Sequence, residues 1–222
     1  MIAAAFSSSI GIADARAPDA AGCHYTPEML QSWKDLWALQ LPQLDATHAA
    51  QLIKVATEII DGRLDALKSD IASGVSPNAN LRGAGGDMSL LALAVAACQD
   101  EIARYLVLSG ASANGDNSST PLVVAAGKGE GGLAEFLIRH GASVDKIDEE
   151  GHTALEEAVR QHFVSAAQVL LAHGAGVNRR LAGNATVLDL VAHSGDPEDV
   201  AMANELRSHG AVSGLAAAAK AE

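Results

Sequence analysis

Aromatic residues are scarce in this sequence, since phenylalanine, tryptophan and tyrosine together make up 3% of its 222 residues. Apolar residues nevertheless make up 49% of the chain, so alanine, leucine and valine must form the core. Side chains of this kind suit closely packed helices better than the sandwiches and barrels that aromatic residues favour. The composition therefore predicts a folded, all-α protein.

Basic residues are also few, with 15 lysines and arginines against 27 aspartates and glutamates, which gives a formal net charge of −12. Nucleic-acid affinity depends on basic side chains that neutralise phosphates, so we expect no nucleic-acid partner. The acidic balance suits another protein with a basic surface, or solubility alone. The sequence has no run of the roughly 18 apolar residues that a spanning helix needs, and we predict no transmembrane segment.

Only two cysteines are present, Cys23 and Cys98, and they form no Cys-x-x-Cys pair. This spacing argues against a structural zinc site and a thioredoxin-type site. We expect two unpaired thiols. The alternative is one disulfide between them if the protein is exported, because disulfides persist in oxidising compartments.

Two in-phase copies of one pattern occupy the middle of the chain. Thr120 opens a Thr-Pro-Leu motif and Thr153 opens a Thr-Ala-Leu motif, and a Gly-Ala pair follows each, at Gly141 and Gly174. Both the threonines and the glycines are 33 residues apart. This period and these motifs resemble ankyrin repeats, a family of helical pairs that stack into a solenoid.

Each landmark has a physical reason. A threonine before a short helix can cap its first N–H groups, and Pro121 loses no hydrogen bond at the first helical position. A glycine such as Gly141 allows the left-handed residue with which many helices end. A single helical pair cannot bury its apolar face, so the units must stack.

Weaker copies extend the resemblance to about five units. Ser89 precedes Gly110 by 21 residues, as in the middle copies, and Cys98 stands where the pattern has its mid-repeat glycine. The last unit, from Thr186 to Gly210, is three residues longer, and we expect a helix to start there at Pro197.

We predict an all-α protein, an ankyrin-repeat α-solenoid with an N-terminal helical cap. The predicted divisions are a leader or signal-like segment at 1–22, capping helices at 23–51, an ankyrin-repeat region at 52–211 and an Ala-rich tail at 212–222. The five predicted repeats are 52–79, 80–114, 115–147, 148–180 and 181–211. We expect the glycine-rich stretch near Gly83 to be a mobile loop tip.

The first residues resemble the end of a secretory signal, with Ala-x-Ala at Ala13 and Ala15, although no basic residue lies near Met1. We therefore expect a periplasmic or secreted protein, with a cytoplasmic protein as the alternative. A lipoprotein-like cleavage before Cys23 is a further alternative. Downstream, Thr26 and Pro27 start a predicted capping helix, and the alternative is an exposed helix that binds a partner.

Candidate chemistry is weak throughout the chain. His140, His173 and His209 recur at repeat positions, but equivalent side chains in neighbouring helices lie about 10 Å apart, whereas zinc ligands lie near 2 Å from the metal. Two pairs occur at helical spacing, His162 with Ser165 and Asp189 with His193, but no nucleophile elbow accompanies them. The glycines from Gly127 to Gly132 fall between two predicted helices, unlike a phosphate loop, which follows a strand. We predict no catalytic residue, cofactor or metal, and hence no enzyme.

The ankyrin resemblance implies that a protein partner contacts the tips between units and the exposed face of the short helices. The predicted tip residues are Asp116, Asn117, Lys146, Asp148, Glu149, Glu150, Arg179 and Arg180. The predicted short-helix face contains Leu93, Ala96, Val124, Lys128, Glu157, Arg160 and Gln161. The alternative for its apolar half is that the N-terminal segment of the chain folds over it.

The leading functional hypothesis is a non-enzymatic protein-interaction module. Because the composition suggests a bacterial source, a specific form of it is an inhibitor or immunity-type protein that neutralises a cognate effector enzyme. The alternative is a chaperone or regulatory scaffold for a periplasmic enzyme. A hydrolase within the N-terminal quarter is a third hypothesis, and the oligomeric state is left open.

Overall fold

A computed structural model of the protein describes residues 46–83, 86–115, 120–192 and 194–215. The predicted leader and almost all of the predicted capping region lie outside the described residues. The chain forms two compact units, Met1–Pro121 and Leu122–Glu222. In the described residues the secondary structure is helical apart from one pair of short strands, as the all-α prediction requires.

The first unit contains helical pairs separated by a hairpin. Its elements are α1 (Ala46–Ile60), α2 (Leu64–Ala72), β1 (Asn80–Gly83), β2 (Gly86–Ser89), α3 (Leu90–Ala96) and α4 (Asp100–Leu108). Helix α1 packs against α2 and α3, and α3 packs against α4 and β2. Two helical pairs therefore stack within this unit.

The hairpin corrects the expectation of a loop tip at residues 80–87. Strands β1 and β2 pair antiparallel, with Asn80 opposite Ser89 and Leu81 opposite Met88. Leu81 is buried, so the first strand contributes a side chain to the core. The stretch therefore contains a paired hairpin whose first strand packs into the core.

The second unit continues the helical pairs, and its first helix begins at the boundary between the units. Its elements are α5 (Pro121–Gly127), α6 (Gly131–Arg139), α7 (Ala154–Arg160), α8 (Val164–Ala172), a 3-10 turn (Ala182–Asn184), α9 (Val187–Val191) and α10 (Pro197–Ser208). The short helices α7 and α9 pack together, and the long helix α8 packs between α6 and α10. Short and long helices thus form separate layers.

Hydroxyl residues precede the short helices, as the sequence pattern predicts. Ser89 accepts a hydrogen bond from the backbone N–H of Ala92, 3.1 Å away. Thr153 and Thr186 each form a capping box with the residue three positions later. These residues and Thr120 are buried, so the caps also satisfy polar groups inside the stack.

The long helices of the repeats are each followed by a left-handed glycine. Gly110, Gly141, Gly174 and Gly210 have φ values between +83° and +98°. After each glycine, the next residue donates its N–H back into the helix, as Ala142 does to Leu137 at 3.0 Å. These contacts satisfy carbonyl groups that a helix end would leave without partners.

The turn inside each repeat also needs a left-handed residue, and glycine is not always present there. Gly62 and Gly129 have φ near +70°, whereas Cys98 and His162 adopt φ values of +57° and +61° at the equivalent position. Side chains with a Cβ are strained in this region. Cys98 nevertheless adopts the left-handed conformation, so the turn forms there without a glycine.

Both non-glycine turn residues make a contact that glycine could not make. Cys98 is disulfide-bonded, so its thiol is not free. His162 pairs through Nδ1 with the buried carboxylate of Asp199 in the next repeat. The expectation of an unpaired thiol at Cys98 is thus wrong in this structure.

A side-chain brace joins successive repeats within each unit. In the first unit, Asn78 donates to the carbonyl of Gly110 and accepts from the N–H of Ser112, both at 2.8 Å. In the second unit, Asn178 makes the same pair of bonds to Gly210 and Val212, at 3.0 and 2.9 Å. In each unit, one asparagine side chain thereby links two successive repeats.

The last repeat fixes the start of the predicted tail. Asp189 accepts from the hydroxyl of Ser213 at 2.5 Å and from the N–H of Gly214 at 2.8 Å. Thr186 donates its hydroxyl to the carbonyl of Val212 at 2.7 Å. The chain is therefore held in place up to Gly214, and helix α10 starts at Pro197 as predicted.

Candidate functional site

The short helices carry equivalent positions whose exposure differs between repeats. The fourth residue after the N-cap is Leu93 in α3, Val124 in α5, Glu157 in α7 and Leu190 in α9. We call the surface formed by these and the adjoining C-terminal residues of the short helices the inner face. The fourth position is completely buried at Leu93 and 41% exposed at Leu190.

The inner face of the first unit is closed. Every residue of α3 is buried, including Leu93 and Ala96. The sequence-based prediction places both on an exposed face, but in this structure neither can contact a partner. The repeat pattern alone does not predict this burial, because the equivalent residues Val124 and Leu190 are accessible in later repeats.

The inner face of the second unit is open. Val124 and Glu157 are half-buried, and Arg160 at the end of α7 is exposed. Gln161 donates to the carboxylate of Glu157 at 2.9 Å, which holds these two polar side chains in one arrangement. Apolar, acidic and basic groups thus occur together on this face.

Lys128 lies in the turn that follows α5 and has an altered acidity. Burial lowers the pKa of its amine to about 8, and the nearby carboxylate of Glu130 offsets part of that effect. A part of its population is therefore neutral at mildly alkaline pH. The glycines on either side of Lys128 lie between two helices, as predicted, and not between a strand and a helix.

The tip between α6 and α7 is a turn that the side chain of Asp148 stabilises. Asp148 accepts from the N–H groups of Glu150 and His152, at 3.0 and 2.8 Å. Lys146 is half-buried, whereas Glu149 and Glu150 are exposed. Asp148 therefore shapes the turn, and the two glutamates present the negative charge of the tip to solvent.

Asp148, Glu150 and His152 also place potential metal-ligating atoms within 4.8 Å of one another. The same carboxylate oxygen of Asp148 already accepts two backbone hydrogen bonds. The arrangement is accounted for by the turn, and we assign no metal to it.

Arg179 and Arg180 have partners within the second unit. Arg179 donates to the fully buried carboxylate of Glu156 at 2.5 Å, and Glu156 also closes the capping box of α7. Arg180 donates to the backbone carbonyl of Asn184 at 2.9 Å. Of these two predicted tip residues, Arg179 thus stabilises a buried charge.

Two further predicted tip residues, Asp116 and Asn117, lie outside the described residues.

The histidines and aspartates considered for chemistry have structural roles. His140 and His209 lie at helix C-caps, where Nδ1 contacts a carbonyl of the same helix at 2.8 and 3.1 Å. His162 pairs with Asp199 rather than with Ser165. Partial burial raises the pKa of Asp189, but hydrogen bonds from Ser213, Thr186 and Gly214 outweigh that effect and lower it to about 2.

A comparison with protein families identifies the repeat. The family model described as Ankyrin repeats (3 copies) matches residues 64–180, more than half of the chain. The chain belongs to the ankyrin-repeat family. Its fold class is the all-α ankyrin solenoid, and such repeats serve in general as non-enzymatic modules that bind other proteins. No match was found among curated proteins.

Two exposed apolar residues of this ankyrin-repeat protein were missing from the sequence-based candidates. Ile147 is 46% exposed at the acidic tip, and Leu190 is exposed on the inner face of the last repeat. The repeat register would have identified Leu190, because it lies four residues after Thr186. Ile147 has no such signal, since only the structure shows that it faces solvent.

None of the helices in the described part of this ankyrin-repeat protein has the length and apolar character needed to cross a bilayer.

Proposed function

We propose that this ankyrin-repeat protein binds another protein through the inner face and the acidic tip of its second unit. The observation that carries the proposal is that Val124, Arg160 and Leu190 are accessible in the second unit, whereas helix α3 of the first unit is completely buried. Apolar anchors beside charged groups are typical of protein interfaces. The family's general role supports the same conclusion.

We further propose that the partner has a basic surface. Glu149 and Glu150 are exposed beside the apolar side chain of Ile147. Complementary charge accelerates encounter, and the apolar residue would supply contact area once the two proteins meet. The formal net charge of −12 opposes a nucleic-acid partner on the same grounds.

An inhibitor or immunity-type role is the specific form of this proposal. An acidic tip of this kind could occupy the basic cleft of an effector enzyme and exclude its substrate. The disulfide at Cys98 supports a periplasmic or secreted location, because such bonds persist in oxidising compartments. Thiol trapping of the native protein in intact cells would test that location, and a free Cys98 thiol would argue for the cytoplasm.

Binding by paired charge-reversal variants tests the proposed function. The tip variant is Glu149→Lys with Glu150→Lys, and the matched control is Asp65→Lys with Glu101→Lys, which makes the same charge change on exposed residues of the first unit. Partners captured by the wild-type protein from the extracellular and periplasmic fractions would be purified, and their affinity for each variant measured at low and moderate salt.

We expect the tip variant to weaken binding at least tenfold, or about 1.4 kcal/mol, and the control to change it little. Addition of the wild-type protein to a captured enzyme should inhibit that enzyme. Equal affinity of all three proteins for each captured partner would contradict the tip as a binding site. Tight binding without inhibition would argue instead for a scaffold.

A further inference from the structure

The tip between α8 and α9 carries two consecutive arginines, Arg179 and Arg180, and both are exposed. We call this pair the basic tip. Arg179 donates through Nη1 to the buried carboxylate of Glu156 at 2.5 Å, and Arg180 donates through Nη1 to the carbonyl of Asn184 at 2.9 Å. A guanidinium has several N–H donors, so one such bond orients the group without using all of them.

The two arginines differ in how far their charge is compensated. The carboxylate of Glu156 faces Arg179 and balances its charge. Arg180 donates to a carbonyl oxygen, which is neutral, so its positive charge is retained at the surface. The basic tip and Glu156 together therefore keep one net positive charge.

The start of the tail holds Arg180 in place. Gly214 is buried, and a Cβ added there would lie 2.4 Å from Nη1 of Arg180 and 1.9 Å from the carbonyl oxygen of Asn184. Only a residue without a side chain can approach so closely. The N–H of Gly214 donates to Asp189 at 2.8 Å, which fixes the backbone at this point. Such prior ordering of the Arg180 guanidinium lowers the entropy cost of binding a ligand.

The basic tip lies beside the acidic tip. Asp145, at the start of the acidic tip, accepts from the N–H of Gly176 at 2.8 Å, so the two tips are in contact at their bases. Glu156, which holds Arg179, also accepts from the N–H of Thr153 at 3.3 Å, at the end of the acidic tip. Equivalent groups of neighbouring helical pairs lie about 10 Å apart. Negative and positive charges are therefore presented side by side at about that separation.

We propose that the basic tip binds one carboxylate of a protein partner, beside the basic group that the acidic tip binds. This inference rests on the proposed function, because it gives the same partner a second contact. A carboxylate matches the planar fork of a guanidinium and carries one charge, as Arg180 does. A phosphate group carries a charge of about −1.5 to −2, and the neighbouring Glu149 and Glu150 would repel it more strongly.

The partner surface that fits these two tips carries a basic and an acidic side chain about 10 Å apart. In an extended segment this separation corresponds to about three residues. Selection by charge order would exclude partners that are basic alone, since like or missing charges weaken the second contact.

Synthetic peptides test this charge order. The mixed probe is acetyl-Lys-Lys-Gly-Ser-Glu-Glu-amide, and the basic probe has glutamine in place of both glutamates. Each is titrated at low salt into the isotope-labelled full-length protein, and the Kd is read from NMR shifts of the backbone amides of both tips. Displacement of the mixed probe by acetate and by inorganic phosphate is compared at equal ionic strength.

The variant that tests the basic tip is Arg180→Gln, and the matched control is Arg207→Gln. Like Arg180, Arg207 is exposed in the second unit and donates to a neutral oxygen, that of Asn204 at 3.3 Å. Glu149→Lys with Glu150→Lys serves as the variant of the acidic tip.

We expect Arg180→Gln to weaken binding of the mixed probe about threefold, as is usual for an exposed ion pair, and to leave the basic probe unaffected. Arg207→Gln should change neither affinity, and the variant of the acidic tip should weaken both. Acetate should displace the mixed probe at least as well as phosphate does.

Unchanged affinity of Arg180→Gln for the mixed probe would overturn the inference, and so would an equal loss in Arg207→Gln or stronger displacement by phosphate. The proposed function would survive these results if the variant of the acidic tip still lost the basic probe. Failure of both probes to bind the wild-type protein would contradict the inference and the acidic tip together.

Discussion

The two units of this ankyrin-repeat protein use the same sequence register but present different surfaces. In the first unit Leu93 is completely buried, whereas in the second unit the equivalent Leu190 is 41% exposed. Both are leucines, and both follow a hydroxyl N-cap by four residues. The difference teaches that a repeat motif determines where a side chain lies on the helix, while its accessibility depends on what else packs there.

Polar substitution at these two leucines should produce the largest contrast. Leu93→Glu would place an unpaired carboxylate in a dry environment, and we expect it to lower the free energy of unfolding by about 3 kcal/mol or more. Leu190→Glu should change it by about 0.5 kcal/mol at most, as is usual at exposed positions. Urea unfolding followed by circular dichroism measures both, and equal losses would remove the distinction between the units.

Truncation of Glu156 should cause the next largest effect, and it tests the interior of the open unit. Glu156→Ala removes the acceptor of Arg179 and of the N–H of Thr153, so we expect a loss of about 2–3 kcal/mol in unfolding free energy. The exposed Glu149 is the matched control, and Glu149→Ala should be nearly neutral. Similar unfolding free energies of the two variants would mean that the pair formed by Glu156 and Arg179 contributes little to stability.

The asparagine brace should contribute equally to both units. Asn78→Ala and Asn178→Ala each remove two hydrogen bonds between repeats, and we expect each to lower the unfolding free energy by about 1–2 kcal/mol. Asn204→Ala, at an exposed helical site, serves as the control. A large difference between the two brace variants would show that the units are not built alike at this position.

One carboxylate in each unit should make the free energy of unfolding depend on pH, and the two effects should have opposite signs. In the second unit, hydrogen bonds hold the folded-state pKa of Asp189 near 2, below its ordinary value of 3.8. Its stabilising contribution is therefore present above pH 4 and is lost as the pH falls towards 2. We expect a loss of about 1 kcal/mol after allowance for partial exposure. Asp189→Asn should remove this part of the pH dependence of urea unfolding.

In the first unit, burial raises the pKa of Glu58, and the neighbouring Asp70 raises it further, although Lys54 opposes both. The folded-state pKa of Glu58 lies above its ordinary value, so its contribution is present below pH 4.5 and is lost as the pH rises through the folded pKa. Glu58→Gln should therefore become more stable relative to the wild-type protein as the pH rises. An unchanged difference between pH 4 and pH 7 would contradict this assignment.

The sequence predicted the parts of the fold that depend on local chemistry. Thr153 caps its helix and Gly174 ends the following one because both effects act within a few residues. The additional residues before Pro197 were assigned to the last repeat for the same reason. These features recur with the repeat, so a single chain already contains several independent examples of each.

Other features depend on contacts between distant parts of the chain. The pairing of Leu81 opposite Met88 required a register that the glycine-rich stretch does not specify. The bond between Arg179 and Glu156 joins residues 23 positions apart, so Arg179 resembled a free tip residue in the sequence. The burial of Leu93 could not be predicted either, because the repeat register gives the position of a residue on its helix but not its neighbours in the fold.

Hydroxyl-radical footprinting of the oxidised full-length protein tests the central claim most directly. Leu93 and Leu190 are the same residue type at equivalent positions, so their oxidation rates, read by fragment mass spectrometry, differ through accessibility alone. We predict that Leu190 is oxidised several-fold faster than Leu93. Equal rates, or faster oxidation of Leu93, would contradict a closed inner face in the first unit and an open one in the second.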